Sequence, residues 1–230
     1  MKKAFIKSFP NTVPVLAGYL SLGIAFGLLL EKAGFGPFWC LIMSVFIFAG
    51  TAQYLCVELL AVGASLWTVA IMVFVLNFRH FFYGISMVSR YNVKGIRRMY
   101  LIFGLTDETY AILTSTKPPV GIVENDYYFA VTLLDQFYWV AGSMIGSIAG
   151  TLITFNSDGL DFAMTALFAV LVVEQWKANK EHFPAIAGFV IAAVSLVIFG
   201  PDNFLIPALI VISGILLLVK DKIYKEEVLN

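Results

Sequence analysis

Six ionisable residues interrupt long apolar runs in this sequence: Glu58, Arg79, Asp107, Glu108, Asp135 and Glu174, with His80 beside Arg79. A charged group in the middle of a membrane helix costs roughly 2.5–3.5 kcal/mol on insertion scales, so each needs a reason. Five acids face one arginine. They cannot all be ionised in a dry interior; some must be protonated, hydrated or close to a segment end. A carboxyl that exchanges its proton in every cycle would suit a proton-coupled carrier, and Asp107, Glu108 and Asp135 are the candidates for that role. Glu58 and Glu174 lie near segment ends, where anchoring at the water boundary is enough to account for them.

The densest polar stretch is Leu76-Asn77-Phe78-Arg79-His80-Phe81-Phe82-Tyr83-Gly84. On a helix, three- and four-residue spacing puts Asn77, His80 and Gly84 on one face and Arg79, Tyr83 and Ser86 on another. Two polar faces cannot both meet lipid. One should line a hydrated path or meet an acidic partner, with Asp107 and Glu108 as the obvious choices; snorkelling of Arg79 to a headgroup is the plainer alternative. Thr106-Asp107-Glu108-Thr109-Tyr110 could cap a half-helix, with Thr106 or Asp107 at the N-cap, or hold an ammonium group. Gln53, beside Gly50-Thr51, is a third polar site: a helix broken there would aim backbone N–H groups at a carboxylate. The candidate substrate-binding set is Gln53, Asn77, Arg79, His80, Thr106 and Thr109.

These residues sit in a chain that is 60% hydrophobic and 13% charged over 230 residues, with a mean hydropathy of +0.88. Soluble domains carry about a quarter charged residues, so this surface must face something other than water. Eight apolar segments follow: 13–30, opened by Pro10 and Pro14; 38–62; 66–88; 99–116, interrupted by Asp107 and Glu108; 127–154; 162–176; 184–199; and 204–219. In lipid, backbone polar groups must be satisfied within the segment. The runs are continuous rather than alternating, so the fold class is all-α, a polytopic membrane helix bundle of six to eight segments forming one transport domain over 1–230. The first segment is too long for a signal-peptide core and lacks a small-residue cleavage site, so it reads as a retained membrane helix.

Lys and Arg cluster at Lys2, Lys3 and Lys7; at Arg90, Lys94, Arg97 and Arg98; at Lys177 and Lys180; and at Lys220, Lys222 and Lys225, whereas 124–126 has none. With all four clusters cytoplasmic, eight simple crossings fail, because 90–98 would fall outside. Six crossings succeed if 38–62 and 162–176 are broken or re-entrant, the first at Gly50-Thr51, with both termini cytoplasmic. The halves, about 10–116 and 127–220, resemble each other weakly. Gly23 and Gly27 match Gly146 and Gly150 at a shift of 123, and Ala52-Gln53-Tyr54 falls near Glu174-Gln175-Trp176. Six crossings would make the halves inverted, a common transporter plan with the substrate near mid-membrane. Gly142, Gly146 and Gly150 also allow close helix contact, within the chain or with a partner.

No phosphate-binding loop, GxSxG or HExxH is present, which argues against ATP-driven transport by this chain alone. His80 and His182 have no zinc-spaced partner, and Cys40 and Cys56 read as packed thiols; no metal or cofactor is expected.

The runs Gly50-Thr51-Ala52-Gln53-Tyr54, Leu76-Asn77-Phe78-Arg79-His80 with Tyr83-Gly84, and Leu105-Thr106-Asp107-Glu108-Thr109, with the segment from Asp161 to Glu174-Gln175-Trp176, resemble the AzlC family in order and spacing. The resemblance covers roughly 9–219. These are the large subunits of bacterial branched-chain amino acid exporters. The resemblance implies export of leucine, isoleucine, valine and methionine across the cytoplasmic membrane, driven by the proton gradient, with a small hydrophobic AzlD-type subunit as partner. The polar residues fit a zwitterionic head: Gln53, Asn77, Arg79 and a helix break for the carboxylate, Asp107 or Glu108 for the ammonium. The residues themselves leave two alternatives, a channel or non-transporting membrane subunit, and an intramembrane enzyme using His80 with Asp107 or Glu108.

Overall fold

The computed structural model describes residues 1–152 and 182–201, with 169, 172–173, 176–177, 204, 207–208, 210–212, 214–215 and 218–219 beyond them, the side chains of Arg79 and Phe82 excepted; every regular element among them is helical. The chain divides into two units, Met1–Asn156 and Ser157–Asn230. The first unit carries α1 (Lys2–Lys32), α2 (Pro37–Phe46), α3 (Gly50–Ala61), α4 (Leu66–Asn77), α5 (Arg79–Val88), α6 (Ile96–Phe103), α7 (Asp107–Ser115) and α8 (Glu124–Leu152).

Pro10 and Pro14 lie inside α1 rather than opening it. Each removes one backbone donor. The first turns stay helical because Ala4, Ser8 and Thr12, four residues apart, form a buried stripe. There the Asn11 amide donates to the Tyr127 hydroxyl at 2.9 Å, and Thr12 and Tyr138 share a hydrogen bond at 2.9 Å.

α1 and α8 form the spine. Along them Asn11 meets Tyr127, Gly27 meets Ser143 and Ser147, and Gly150 meets Glu31, so the two helices run parallel. Their backbones touch. A Cβ at Gly27 would stand 2.0 Å from the Ser143 carbonyl oxygen, and one at Gly146 would stand 2.0 Å from that of Ile24. The glycine spacing therefore serves contact within the chain. It also bears on the repeat: helices matched between inverted halves would run antiparallel, and these do not.

Both spine helices start at one end, the base, and run to the other, the top. α2 enters from the top antiparallel to α8: Cys40 Sγ donates to the Ser143 carbonyl at 3.2 Å, and Gln136 Nε2 donates to the Val45 carbonyl at 3.0 Å. The helix breaks over 47–49, where Phe48 has a φ of 43°. α3 then returns towards the top, since Gly50 abuts the Trp139 ring and Tyr54 donates to the Leu22 carbonyl. Segment 38–62 is thus a hairpin with its break a few residues before Gly50-Thr51. α4 and α5, of 12 and 10 residues, join through Phe78, whose dihedrals stay helical. Together they span roughly 35 Å at 1.5 Å per residue, from the top back to the base. There Met87 and Tyr91 pack with Tyr127 and Tyr128.

Segment 99–116 folds back on itself beside α8. α6 leaves the base beside α8: Arg97 donates to Asp126 Oδ1 at 2.6 Å, and Tyr100 packs on Phe129 at 5.4 Å. The chain turns at 104–106, where a Cβ on Gly104 would strike the Thr132 methyl at 2.4 Å. α7 comes back, with Thr109 bonded to Asp135 and Thr116 to Tyr127. Its 8- and 9-residue arms reach about 12–14 Å, under half of a hydrocarbon core about 30 Å thick. The loop counting missed this because the acidic loop lies among the cations. Asp126 also faces the N-terminal amine at 4.0 Å, and Lys7 donates to the Val120 carbonyl at 2.8 Å.

Among the described residues only α1 is long and apolar enough by itself to cross a membrane. α8 is nearly as long, with 29 residues, but turns Thr132, Asp135, Ser143 and Ser147 into the interior. Apolar side chains face outwards instead, Trp67, Phe74 and Ile85 among them. In the second unit, α9 (Phe183–Phe199) carries Pro184 in its first turn and stops at Gly200, whose φ is 73°. Most of 162–176, with Glu174, lies outside the described residues.

Candidate substrate and proton site

The tips of the two hairpins meet against the middle of α8. Phe48, from the first tip, lies 6.4 Å ring to ring from Phe103 at the second. A buried phenylalanine with positive φ is strained, and such strain persists only where surroundings hold it. Here Tyr19 of α1 supplies the other wall, edge-on to Phe48 at 6.4 Å. Gln136 ties the tips together: its amide donates to the Val45 carbonyl at the end of α2, and its oxygen accepts from the Tyr100 hydroxyl of α6 at 2.6 Å.

Thr106 caps α7: its side chain accepts from the Thr109 N–H at 3.3 Å. Asp107 and Glu108 fall in the first turn, where the helix dipole favours negative charge. From the cap a buried hydrogen-bond chain runs to α8. Thr106 Oγ1 donates to Thr109 Oγ1 at 3.1 Å, which donates to Asp135 Oδ2 at 2.7 Å. Tyr19 joins from α1, 2.8 Å from Thr106 Oγ1 and 2.7 Å from Glu108 Oε2. Its single hydroxyl proton serves two acceptors, so its choice couples Glu108 to the Thr106–Thr109–Asp135 chain. Asp135 is fully buried, and its Oδ1 has no hydrogen-bond partner among the described residues.

Gln53 lies on the same side of α8. In the first turn of α3 and fully buried, it accepts through Oε1 from Trp139 Nε1 at 2.9 Å, and its Nε2 has no partner among the described residues. Trp139 stacks on Phe26 at 5.9 Å and meets Tyr19 edge-on at 5.5 Å.

Of the residues singled out by sequence, Gln53, Thr106, Glu108, Thr109 and Asp135 gather around Tyr19 and Trp139, with Asp107 at the head of α7. Asn77 and His80 are not bonded into this group among the described residues; His80 Nδ1 is 3.2 Å from the Asn77 carbonyl oxygen. The backbone still brings them to a similar depth. Tyr83 and Tyr110 stack at 4.6 Å, α5 and α7 both run towards the base, and His80 and Asp107 each lie three residues deeper. Sequence reasoning passed over Tyr19, Trp139 and Gln136. Their signal was available: a tyrosine within the first apolar run, and Gln136 and Trp139 beside Asp135 in 127–154.

The AzlC protein family profile matches residues 14–153, more than half of the chain. The chain belongs to the AzlC family. It is 40% identical over 98% of its length to the branched-chain amino acid transport protein AzlC of Bacillus subtilis (strain 168), covering 89% of that protein. It is 40% identical over 96% of its length to an uncharacterized membrane protein of Helicobacter pylori (strain ATCC 700392 / 26695), covering 97% of it. With the inner membrane protein YgaZ of Escherichia coli (strain K12) it shares 27% identity over 85% of this chain and 82% of the other. No solved structure matches. AzlC-family proteins are membrane transport proteins, and this chain is one of them rather than an enzyme.

Proposed function

We propose that this AzlC-family chain exports branched-chain amino acids, leucine, isoleucine and valine with methionine besides, across the cytoplasmic membrane in exchange for protons, together with a small hydrophobic AzlD-type subunit. One observation carries the reading: the buried Asp135 at the meeting point of two half-membrane hairpins, linked through Thr109 and Thr106 to Tyr19 and Glu108. Paired half-helices at mid-depth are a recurrent way to hold a polar substrate inside lipid. Kinship with a protein named for branched-chain amino acid transport supports the substrate class.

Gln53, Thr106 and Thr109 hold the zwitterionic head, and Asn77, Arg79 and His80, from α4 and α5, serve as further substrate-binding residues. Asp107, Glu108 and Asp135 handle the proton. The side chain meets Phe26, Phe48 and Phe103, an apolar wall that separates substrates differing by one methylene by only about 1–3 kcal/mol. The base, rich in Lys and Arg, faces the cytoplasm.

Valine counterflow in proteoliposomes tests this. A carrier gives saturable exchange accelerated by valine on the far side. Flux rising linearly with concentration, with no acceleration, would instead mean a channel.

A further inference from the structure

Two buried polar groups near the hairpin tips lack partners among the described residues: the Gln53 amide nitrogen and Asp135 Oδ1. Their chemistry is complementary to that of a free α-amino acid, since one is a donor and the other an acceptor. Both belong to one side of α8. Asp135 and Trp139 are one turn apart on α8, and Gln53 is bonded to the Trp139 indole at 2.9 Å. An ammonium and a carboxylate on one carbon lie about 3–4 Å apart. With a hydrogen bond of about 2.8 Å at each end, the bridge measures about 8–9 Å, roughly one and a half helix turns.

The two half-helix starts decide which pole goes where. α7 is capped by Thr106 and already carries Asp107 and Glu108 in its first turn. α3 has no side-chain cap and no acid in its first turn. Its positive end, with Gln53 in that turn, is the seat for a carboxylate.

We propose, resting on the transporter reading above, that Gln53 Nε2 and the start of α3 bind the substrate carboxylate while Asp135 Oδ1 binds its ammonium, and that a proton takes the same Asp135 oxygen when the substrate leaves. Proton and amino acid then exclude each other at one carboxyl group, which couples their movement in opposite directions so long as the carrier does not change sides with that group empty. The titratable groups around Asp135 are Glu108 on α7, Tyr19 on α1, Tyr100 on α6 and Tyr138 on α8 itself. α3 presents the neutral Gln53 and the Tyr54 hydroxyl, which donates to the Leu22 carbonyl, and the titratable group of α2, the Cys40 thiol, donates to the Ser143 carbonyl about two turns farther along α8.

The test is equilibrium binding to the purified full chain of valine, of isovalerate, which lacks the ammonium, and of isobutylamine, which lacks the carboxylate, across a pH range in which all three keep their charges. In the wild type, valine affinity falls on acidification, approaching about tenfold per pH unit, and isovalerate affinity does not. Asp135→Asn abolishes the pH dependence and favours isovalerate over valine. Gln53→Glu rejects valine and accepts isobutylamine. Size-exclusion profiles establish that the variants are folded, and the wild-type comparison needs no variant. Valine and isovalerate responding alike to pH, or variants discriminating as the wild type does, would overturn the proposal while leaving valine exchange intact. A wild type that neither binds nor exchanges valine overturns the transporter reading as well.

Discussion

At the scale of single residues the site is a set of hydroxyls arranged around one carboxyl group. Thr109 is the residue through which Asp135 joins the Tyr19 and Glu108 side, by its 2.7 Å bond to Oδ2. Replacing Thr109 with valine keeps the shape and deletes the donor. A hydrogen bond to a charged group is worth roughly 1.5–3 kcal/mol, so Thr109→Val is expected to lower valine transport about 10- to 100-fold, with protein yield near wild type and Thr109→Ser largely active. Transport assays on matched amounts of protein check this. Arg79→Ala is expected to impair export more than expression; unchanged export would assign Arg79 to the headgroups. The acids and threonines of this site were legible because a polar side chain in an apolar run demands an explanation. Tyr19 was not, because an amphipathic phenol is at home in many membrane settings and only its neighbour on another helix reveals its role.

At the scale of elements, the α1–α8 contact sets the register on which the site depends, since Tyr19 reaches Thr106 only if α1 lies tight on α8. Gly27→Ala puts a methyl 2.0 Å from a backbone oxygen, whereas Gly18→Ala on the same helix meets nothing within 4 Å. Overpacking of about 3 kcal/mol or more is expected for Gly27→Ala and none for Gly18→Ala. Thermal unfolding followed by size exclusion separates the two: a lower midpoint and poor yield for the first, a wild-type midpoint for the second. The glycine spacing was readable in the sequence, but its partner was not, because close packing follows from it whichever helix lies opposite. Local preference likewise puts the first helix break at Gly50-Thr51, where glycine permits an unusual backbone. The chain instead breaks at Phe48, a residue no local preference assigns to positive φ, held there by Tyr19 and Phe103.

For the molecule as a whole, the hairpin at 96–115 changes the sidedness of everything after it. Counting basic loops fixes only how many runs turn back, and the count assigns the turns to 38–62 and 162–176; an 8-residue helix that turns back after about 12 Å is invisible to it. With α6 and α7 re-entrant, positions 94 and 120 share one side. Single cysteines at Lys94 and Val120 are expected to react with an impermeant thiol reagent only from the cytoplasm. Labelling of the Val120 position from outside would restore 99–116 as a crossing. The same geometry brings one hairpin from the top and one from the base to a common level beside Asp135.

That level is where export and proton uptake are coupled in this account, and a vesicle experiment addresses it directly. Proteoliposomes loaded with labelled valine are given an acid exterior, and efflux is followed with and without a protonophore, for wild type and for Asp135→Asn. Rapid efflux is expected from wild-type vesicles, collapsing with the protonophore and lost in the variant. Efflux indifferent to the gradient in wild type, or equally gradient-driven in Asp135→Asn, would contradict it.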